Sequence, residues 1–201
     1  MSTATPLVIA SGNAGKVREF AALLAALPLA VRPQPEGLEV EETGATFAEN
    51  ARLKASAVAR ATGCWALADD SGLAVEALDG APGVWSARYA PTDGERIARL
   101  LAELDARGAT APERRGAAFI AALALADPAG MVRLAVEGSC AGRILAAPRG
   151  EGGFGYDPVF LVPELNLTFA EMDKATKGRV GHRGRAFALL EPGLRELLGA
   201  A

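Results

Sequence analysis

The chain has a single histidine, His182, and only two cysteines, Cys64 and Cys140, among its 201 residues. That scarcity argues against a zinc site, which draws on closely spaced cysteines and histidines. Cys64 and Cys140 lie far apart with no CxxC spacing, so they read as buried thiols in a reducing compartment rather than a disulfide framework. Positive charge is not in excess: 21 Lys and Arg stand against 24 Asp and Glu, a net charge of -3. Non-specific binding to a nucleic-acid backbone is therefore disfavoured, and an anionic substrate would need its cations concentrated locally. Long apolar runs are missing too. The Ala/Leu stretch from Phe20 to Val31 is broken by Pro28 and is too short to span a bilayer. Met1 to Leu7 carries no basic region of the kind that opens a signal peptide. These absences predict a cytoplasmic protein with neither a membrane nor a nucleic-acid polymer as partner.

What is present is ordinary globular material, 50% hydrophobic and 22% charged, enough to bury a core in one domain or two tightly joined lobes. Leu7 to Ala10 reads as a strand running into the turn Ser11–Gly12–Asn13–Ala14–Gly15. A helix follows from about Lys16, striped by Val17, Phe20, Leu24 and Leu27 and ended by Pro28. The next stretch, near Pro33 and Pro35, reads as a connector. Thr46 with Glu49, Thr92 with Glu95 and Thr168 with Glu171 have the spacing of a capping box, so each predicts a helix start. The first of these helices reaches about Ala61. Ile97, Leu100, Leu101 and Leu104 stripe the second, and the third is short. Ala117 to Ala126 and Met131 to Gly138 predict an antiparallel hairpin closed by Asp127–Pro128–Ala129–Gly130, with Pro and Gly where a type I turn favours them. A last helix from about His182 to Leu190 is expected to be interrupted by Pro192–Gly193. A βα unit beside a hairpin indicates an α/β fold with a mixed sheet, and no linker divides residues 1–201.

Chemistry concentrates in a few places. In Ala66 to Val75, Asp69, Asp70 and Ser71 interrupt an apolar run that reads as a strand broken where the chain turns. Carboxylates are costly to bury alone, so such a pair is exposed, salt-bridged or bound to a metal, and oxygen-only ligation favours Mg2+ or Mn2+. A plain polar turn is the competing reading. The turn Ser11 to Lys16 opens a helix with backbone amides and one lysine, which suits phosphate. Its glycine spacing is not that of a Walker A loop, and a simple capping turn remains open. Lys54 by itself reads as a solvated helical lysine. The glycine-rich stretch Gly150 to Pro158 carries Phe154 and Tyr156, which either stack on a nucleobase or fold back into the core. Lys177, His182 and Arg183 cluster around the start of the last helix. Cations there oppose the helix dipole, a mild pointer to a ligand with negative charge or carbonyl acceptors, although by itself the segment reads first as a basic solvated turn. Taken together these are the parts of a nucleoside triphosphate site.

Five segments in order resemble the inosine triphosphatase family of noncanonical purine triphosphate pyrophosphatases, also called XTP/dITP diphosphatases. They are Ser11 to Glu19 (SGNAGKVRE), Glu41 to Lys54 (EETGATFAENARLK), Ala68 to Tyr89, Gly152 to Phe160 (GGFGYDPVF) and Thr168 to Ala186. The resemblance implies a long twisted mixed β-sheet flanked by helices, with two lobes around a central substrate cleft and usually a homodimer. It implies hydrolysis of ITP, dITP or XTP to the monophosphate and pyrophosphate. By the same likeness Ser11, Gly12, Asn13, Ala14, Gly15 and Lys16 hold the triphosphate, with Lys54 and Ser71 as further substrate contacts. Glu41 and Asp70 match the Mg2+ positions, Mn2+ being an alternative ion, and Asp70 also matches the proton acceptor. Phe154, Gly155, Tyr156 and Asp157 match the base-pocket loop, and Lys177, His182 and Arg183 match its polar side. Two departures are visible: Ser11 stands where threonine is common, and Gly181 where serine usually precedes the His–Arg pair. The rival readings are a phosphatase with Asp69 or Asp70 as covalent nucleophile, a nucleotide-binding regulator without turnover, and a pyrophosphatase with another base preference.

Overall fold

The structure, a computed structural model, describes residues 4–199. Seven strands form one mixed sheet in the order β2-β1-β3-β4-β5-β6-β7. They are β1 (Thr5–Ala10), β2 (Leu29–Pro33), β3 (Trp65–Val75), β4 (Gly116–Ala126), β5 (Val132–Ile144), β6 (Phe160–Val162) and β7 (Leu167–Thr168). β1 runs parallel to both β2 and β3, whereas β6 is antiparallel to β5 and β7. The helices are α1 (Ala14–Leu24), α2 (Phe47–Thr62), α3 (Asp93–Ala106), α4 (Lys174–Val180) and α5 (His182–Leu198).

Two compact units share these elements. One comprises described residues 4–70, 121–138 and 183–199. Its core joins Leu7 and Ile9 of β1, Phe20 and Leu24 of α1, Leu67 of β3, Leu123 and Leu125 of β4, and Phe187, Leu190 and Leu194 of α5. The other comprises residues 71–120 and 139–182. Its core joins Leu73 and Val75, the α3 stripe Ile97, Leu100 and Leu104, and Phe119, Ile144, Phe160 and Phe169.

Local sequence chemistry accounts for much of this. The boxes at Thr46 and Thr92 are complete: each threonine accepts from the amide of the glutamate three residues on, and that glutamate caps the threonine amide in return. The hairpin turn also forms as expected, with the Gly130 amide donating to the Asp127 carbonyl at 2.7 Å.

Four expectations fail, each for a physical reason. The third box starts no helix. The Thr168 hydroxyl donates instead to the Arg149 carbonyl at 2.7 Å, and the helix begins later, at α4, capped by Asp173. The stretch read as a connector contains β2, whose Pro33 ends an edge strand, where a missing backbone donor is tolerated. α5 runs through Pro192 to Leu198 instead of stopping near Leu190. A helix-interior proline costs about 3 kcal/mol, but burying Leu194 and Leu198 returns about 1.5–3 kcal/mol each. The fourth failure is the break at the acid pair: β3 is continuous from Trp65 to Val75. Asp69 and Asp70 are 2% and 6% exposed, and successive residues of a strand point to opposite faces. What lets the strand carry them is described next.

Candidate active site

In the first unit, β1 ends in the turn that starts α1. Asn13 caps this helix, its side-chain oxygen accepting from the Gly15 and Lys16 amides at 2.8 and 3.1 Å, while its own amide donates to Ser11 Oγ at 3.2 Å. Two first-turn amides that sequence reading assigned to phosphate are thus already bonded to Asn13. Ser11, Gly12 and Ala14 line a cavity of about 530 Å3 whose far side is formed by residues 33–39. Lys16, one turn into α1, extends its ammonium to Asp69 Oδ2 at 2.8 Å. Arg183, at the start of α5, reaches the same oxygen at 3.5 Å and Glu19 at 2.8 Å. Burial opposes the Asp69 charge, but Lys16 and Arg183 outweigh it and hold the carboxyl well below the usual carboxylate range. The cation at the start of α5 is therefore met by two acids of the protein itself, which resolves the conflict with the helix dipole.

Asp70 belongs to a second ion cluster. Lys54 of α2 places its ammonium 2.9 Å from Asp70 Oδ1 and 2.7 Å from Glu42 Oε1, so it is not the solvated lysine its helical position allowed. Burial works against the Lys54 charge, and Asp70 and Glu42 more than restore it. Burial also pushes the Asp70 carboxyl above its ordinary value, against the pull of Lys54. Asp70 Oδ2 is buried without a hydrogen-bond partner. Glu41, the expected companion of Asp70, is exposed, and its neighbour Glu42 takes the place beside Lys54. Ser71 follows on β3, half-buried.

In the second unit, the glycine-rich loop after β5 bends back on Asp157. This carboxylate, 3% exposed, accepts from the Phe154 amide at 2.9 Å and from Lys177 at 2.7 Å. Gly153 is at φ +76°, and a Cβ there would stand 2.0 Å from Asp157 Oδ2. Gly153→Ala is accordingly expected to destabilise the protein by about 1–3 kcal/mol, seen as a lower urea midpoint. An unchanged midpoint would show that the loop yields instead. Lys177 lies over the rings of Phe154 and Phe169, 5.1 and 5.4 Å from their centroids. His182 stacks on Phe119 at 4.8 Å with the planes 13° apart.

Two aromatic expectations separate here. Phe154 remains half-buried on the loop, whereas Tyr156 folds into the core and its hydroxyl donates to the Ser86 carbonyl at 3.0 Å. The basic trio also divides: Lys177 meets Asp157, His182 joins the aromatic stack, and Arg183 meets Glu19 and Asp69. At Gly181 a Cβ would lie 2.6 Å from the Lys177 carbonyl, so the missing serine side chain goes with a close approach at the end of α4.

Sequence reasoning did not single out Glu19, Glu42, Phe119 or Phe169. Glu19 meets Arg183, 164 positions away, a pairing that no local spacing signals. Glu42 was hidden by its equivalence to Glu41, and the two phenylalanines look like any apolar core residue.

Among the described residues, no three Asp, Glu, His or Cys side chains converge into a ready metal cage. Mg2+ is usually held by one or two carboxylates and otherwise by water and substrate phosphates. The unpartnered buried oxygen of Asp70 and the all-oxygen set of Asp70, Glu42 and Glu41 fit such an ion.

The α/β sheet thus carries two buried acids, each paired with a half-buried lysine. A model of the Ham1 family matches residues 7–192, and the chain belongs to that family. A dITP/XTP pyrophosphatase of Parasynechococcus marenigrum (strain WH8102) is 62% identical over 194 residues, spanning 96% of this chain and 97% of its own. Another, from Synechococcus sp. (strain CC9311), is 64% identical over 192 residues, 96% of this chain and 91% of its own. Among solved structures, a HAM1 protein from Coxiella burnetii superposes with a TM-score of 0.85 at 43% identity, covering 96% of this chain and 99% of that one. The Ham1 protein of Staphylococcus aureus does so with 0.82 at 40% identity and the same coverage. The resemblance read from the five segments and the mixed-sheet α/β fold are both borne out.

Proposed function

We propose that this chain hydrolyses noncanonical purine nucleoside triphosphates, ITP, dITP and XTP, to the monophosphate and pyrophosphate. The observation that carries the reading is a near-full-length match, 62% identical, to a dITP/XTP pyrophosphatase. The geometry supplies chemistry suited to it. Water attacks the α-phosphorus, the bond from that phosphorus to the bridging oxygen breaks, and pyrophosphate leaves with the electron pair. Asp70 orients the water and takes its proton. Lys16 and Lys54 stabilise the phosphate oxygens as charge moves onto the leaving group. Mg2+ on Asp70 with Glu42 or Glu41 would neutralise further charge on the pyrophosphate. Asp69, locked to Lys16 and Arg183, keeps the Lys16 ammonium in place.

Base choice follows from the Asp157–Lys177 pair and its neighbours. Hypoxanthine and xanthine present a 6-keto oxygen and an N1–H, whereas adenine presents an amino group and a bare N1. Lys177 and His182 are donors suited to the oxygen, and Asp157 is an acceptor suited to N1–H. Adenine offers neither the matching acceptor at position 6 nor the N1–H donor, so it forgoes hydrogen bonds that the two keto bases make, at about 0.5–1.5 kcal/mol each. Phe154, under Lys177, offers a face for stacking. The family likeness further suggests a cytoplasmic homodimer acting on free nucleotides. No helix among the described residues is long and apolar enough to cross a membrane.

The test is a substrate panel of ITP, dITP and XTP against ATP and GTP with Mg2+, with the released phosphate species identified. Pyrophosphate from the first three at rates well above ATP is the expected result. Orthophosphate as the primary product would replace this reading by the phosphatase alternative.

A further inference from the structure

We propose that Asp93 is a positioning residue that fastens the glycine-rich loop and thereby sets affinity for the purine base; the inference rests on the pyrophosphatase reading above. Gly150, Gly153 and Gly155 of this loop have φ of +86°, +76° and +61°, conformations that leave a glycine backbone many alternatives. Yet the loop must present Phe154 and Asp157 in one arrangement. The Asp157 carboxylate folds it from within by accepting the Phe154 amide, and the Tyr156 hydroxyl ties it to Ser86.

A further tether comes from α3, beside those to Ala170 and Lys177. Asp93 Oδ2 accepts the Gly155 amide at 2.7 Å across 62 residues of sequence, a charge-assisted hydrogen bond of the stronger kind. No Cβ clash requires glycine at position 155, since a side chain there would meet nothing within 4 Å. Its positive φ is what matters, and it accompanies an amide aimed at Asp93. Asp93 is itself held. Its other oxygen accepts from Arg96 at 2.7 Å, and Arg96 donates to the Ala90 carbonyl at 2.9 Å. An aspartate in a first helical turn needs no partner beyond the helix dipole. Here it bridges an anchored arginine and the loop that carries Phe154 and Asp157.

Steady-state kinetics on the full-length protein with ITP tests this. Asp93→Ala is expected to raise KM about fivefold with kcat within about twofold of wild type, the loss of one hydrogen bond that shapes the binding surface. Asp93→Asn, which keeps an oxygen able to accept from Gly155, is expected to recover most of the affinity. Thr92→Ala removes the α3 cap without touching Gly155, so it should lower the melting temperature and leave KM alone. An unchanged KM in Asp93→Ala would overturn the proposal, as would an Asn variant as impaired as the Ala variant. So would a KM rise in Thr92→Ala equal to that of Asp93→Ala, because the effect would then belong to helix stability. A wild-type protein that releases no pyrophosphate from ITP overturns the substrate reading instead, which keeps the two failures apart.

Discussion

Asp70→Asn is expected to lower pyrophosphate release from ITP by about 10²-fold or more while the protein stays folded. The replacement preserves side-chain volume and still offers Lys54 an oxygen. Lys54 also keeps Glu42, 2.7 Å away. What disappears is the negative charge that draws a divalent ion and the base that receives the water proton. Turnover is read from pyrophosphate released with Mg2+ present, and folding from circular dichroism melting. Near-wild-type turnover would remove Asp70 from the chemistry. A collapsed melting curve would show that its charge serves the fold.

The adjacent acid should behave in the opposite way. Asp69→Asn is expected to destabilise the protein by about 3–5 kcal/mol, because it takes the carboxylate partner from the largely buried Lys16 ammonium and leaves Arg183 to Glu19. For a chain of this length that is a fall of about 10 °C in Tm. Differential scanning calorimetry gives the answer directly, and a Tm within a degree or two of wild type would refute the structural role. Two neighbouring aspartates of one strand are thus expected to separate into one that stabilises and one that reacts, because the strand turns them toward different cations.

Much of this was legible in the sequence, and what escaped did so for definable reasons. The capping boxes at Thr46 and Thr92 and the Asp127–Gly130 turn are local codes, and they folded as read. Failures came where distant parts of the chain decide. Thr168 had the box spacing, but the Arg149 carbonyl claimed its hydroxyl. Pro192 should have ended α5, but the core wanted Leu194 and Leu198. The acid pair should have forced a turn, but Lys16, Lys54 and Arg183 supplied the countercharge from three helices. The active site follows the same pattern. The types of residue needed for phosphate and purine were visible, while their pairing was not: no spacing rule says that Lys54 meets Glu42 and Asp70, or that Tyr156 is core and Phe154 is not.

The ion pair between Glu19 and Arg183 has a bearing on how the chain is made. These residues are 164 positions apart, and the hydroxyl of Thr5 bonds the Leu198 carbonyl 193 positions away. β1 and α1 are made before Phe187, Leu190 and Leu194 of α5, which pack in the same core. Contacts between partners so remote in sequence close slowly, so the core around β1 and α1 is expected to complete only once α5 has followed.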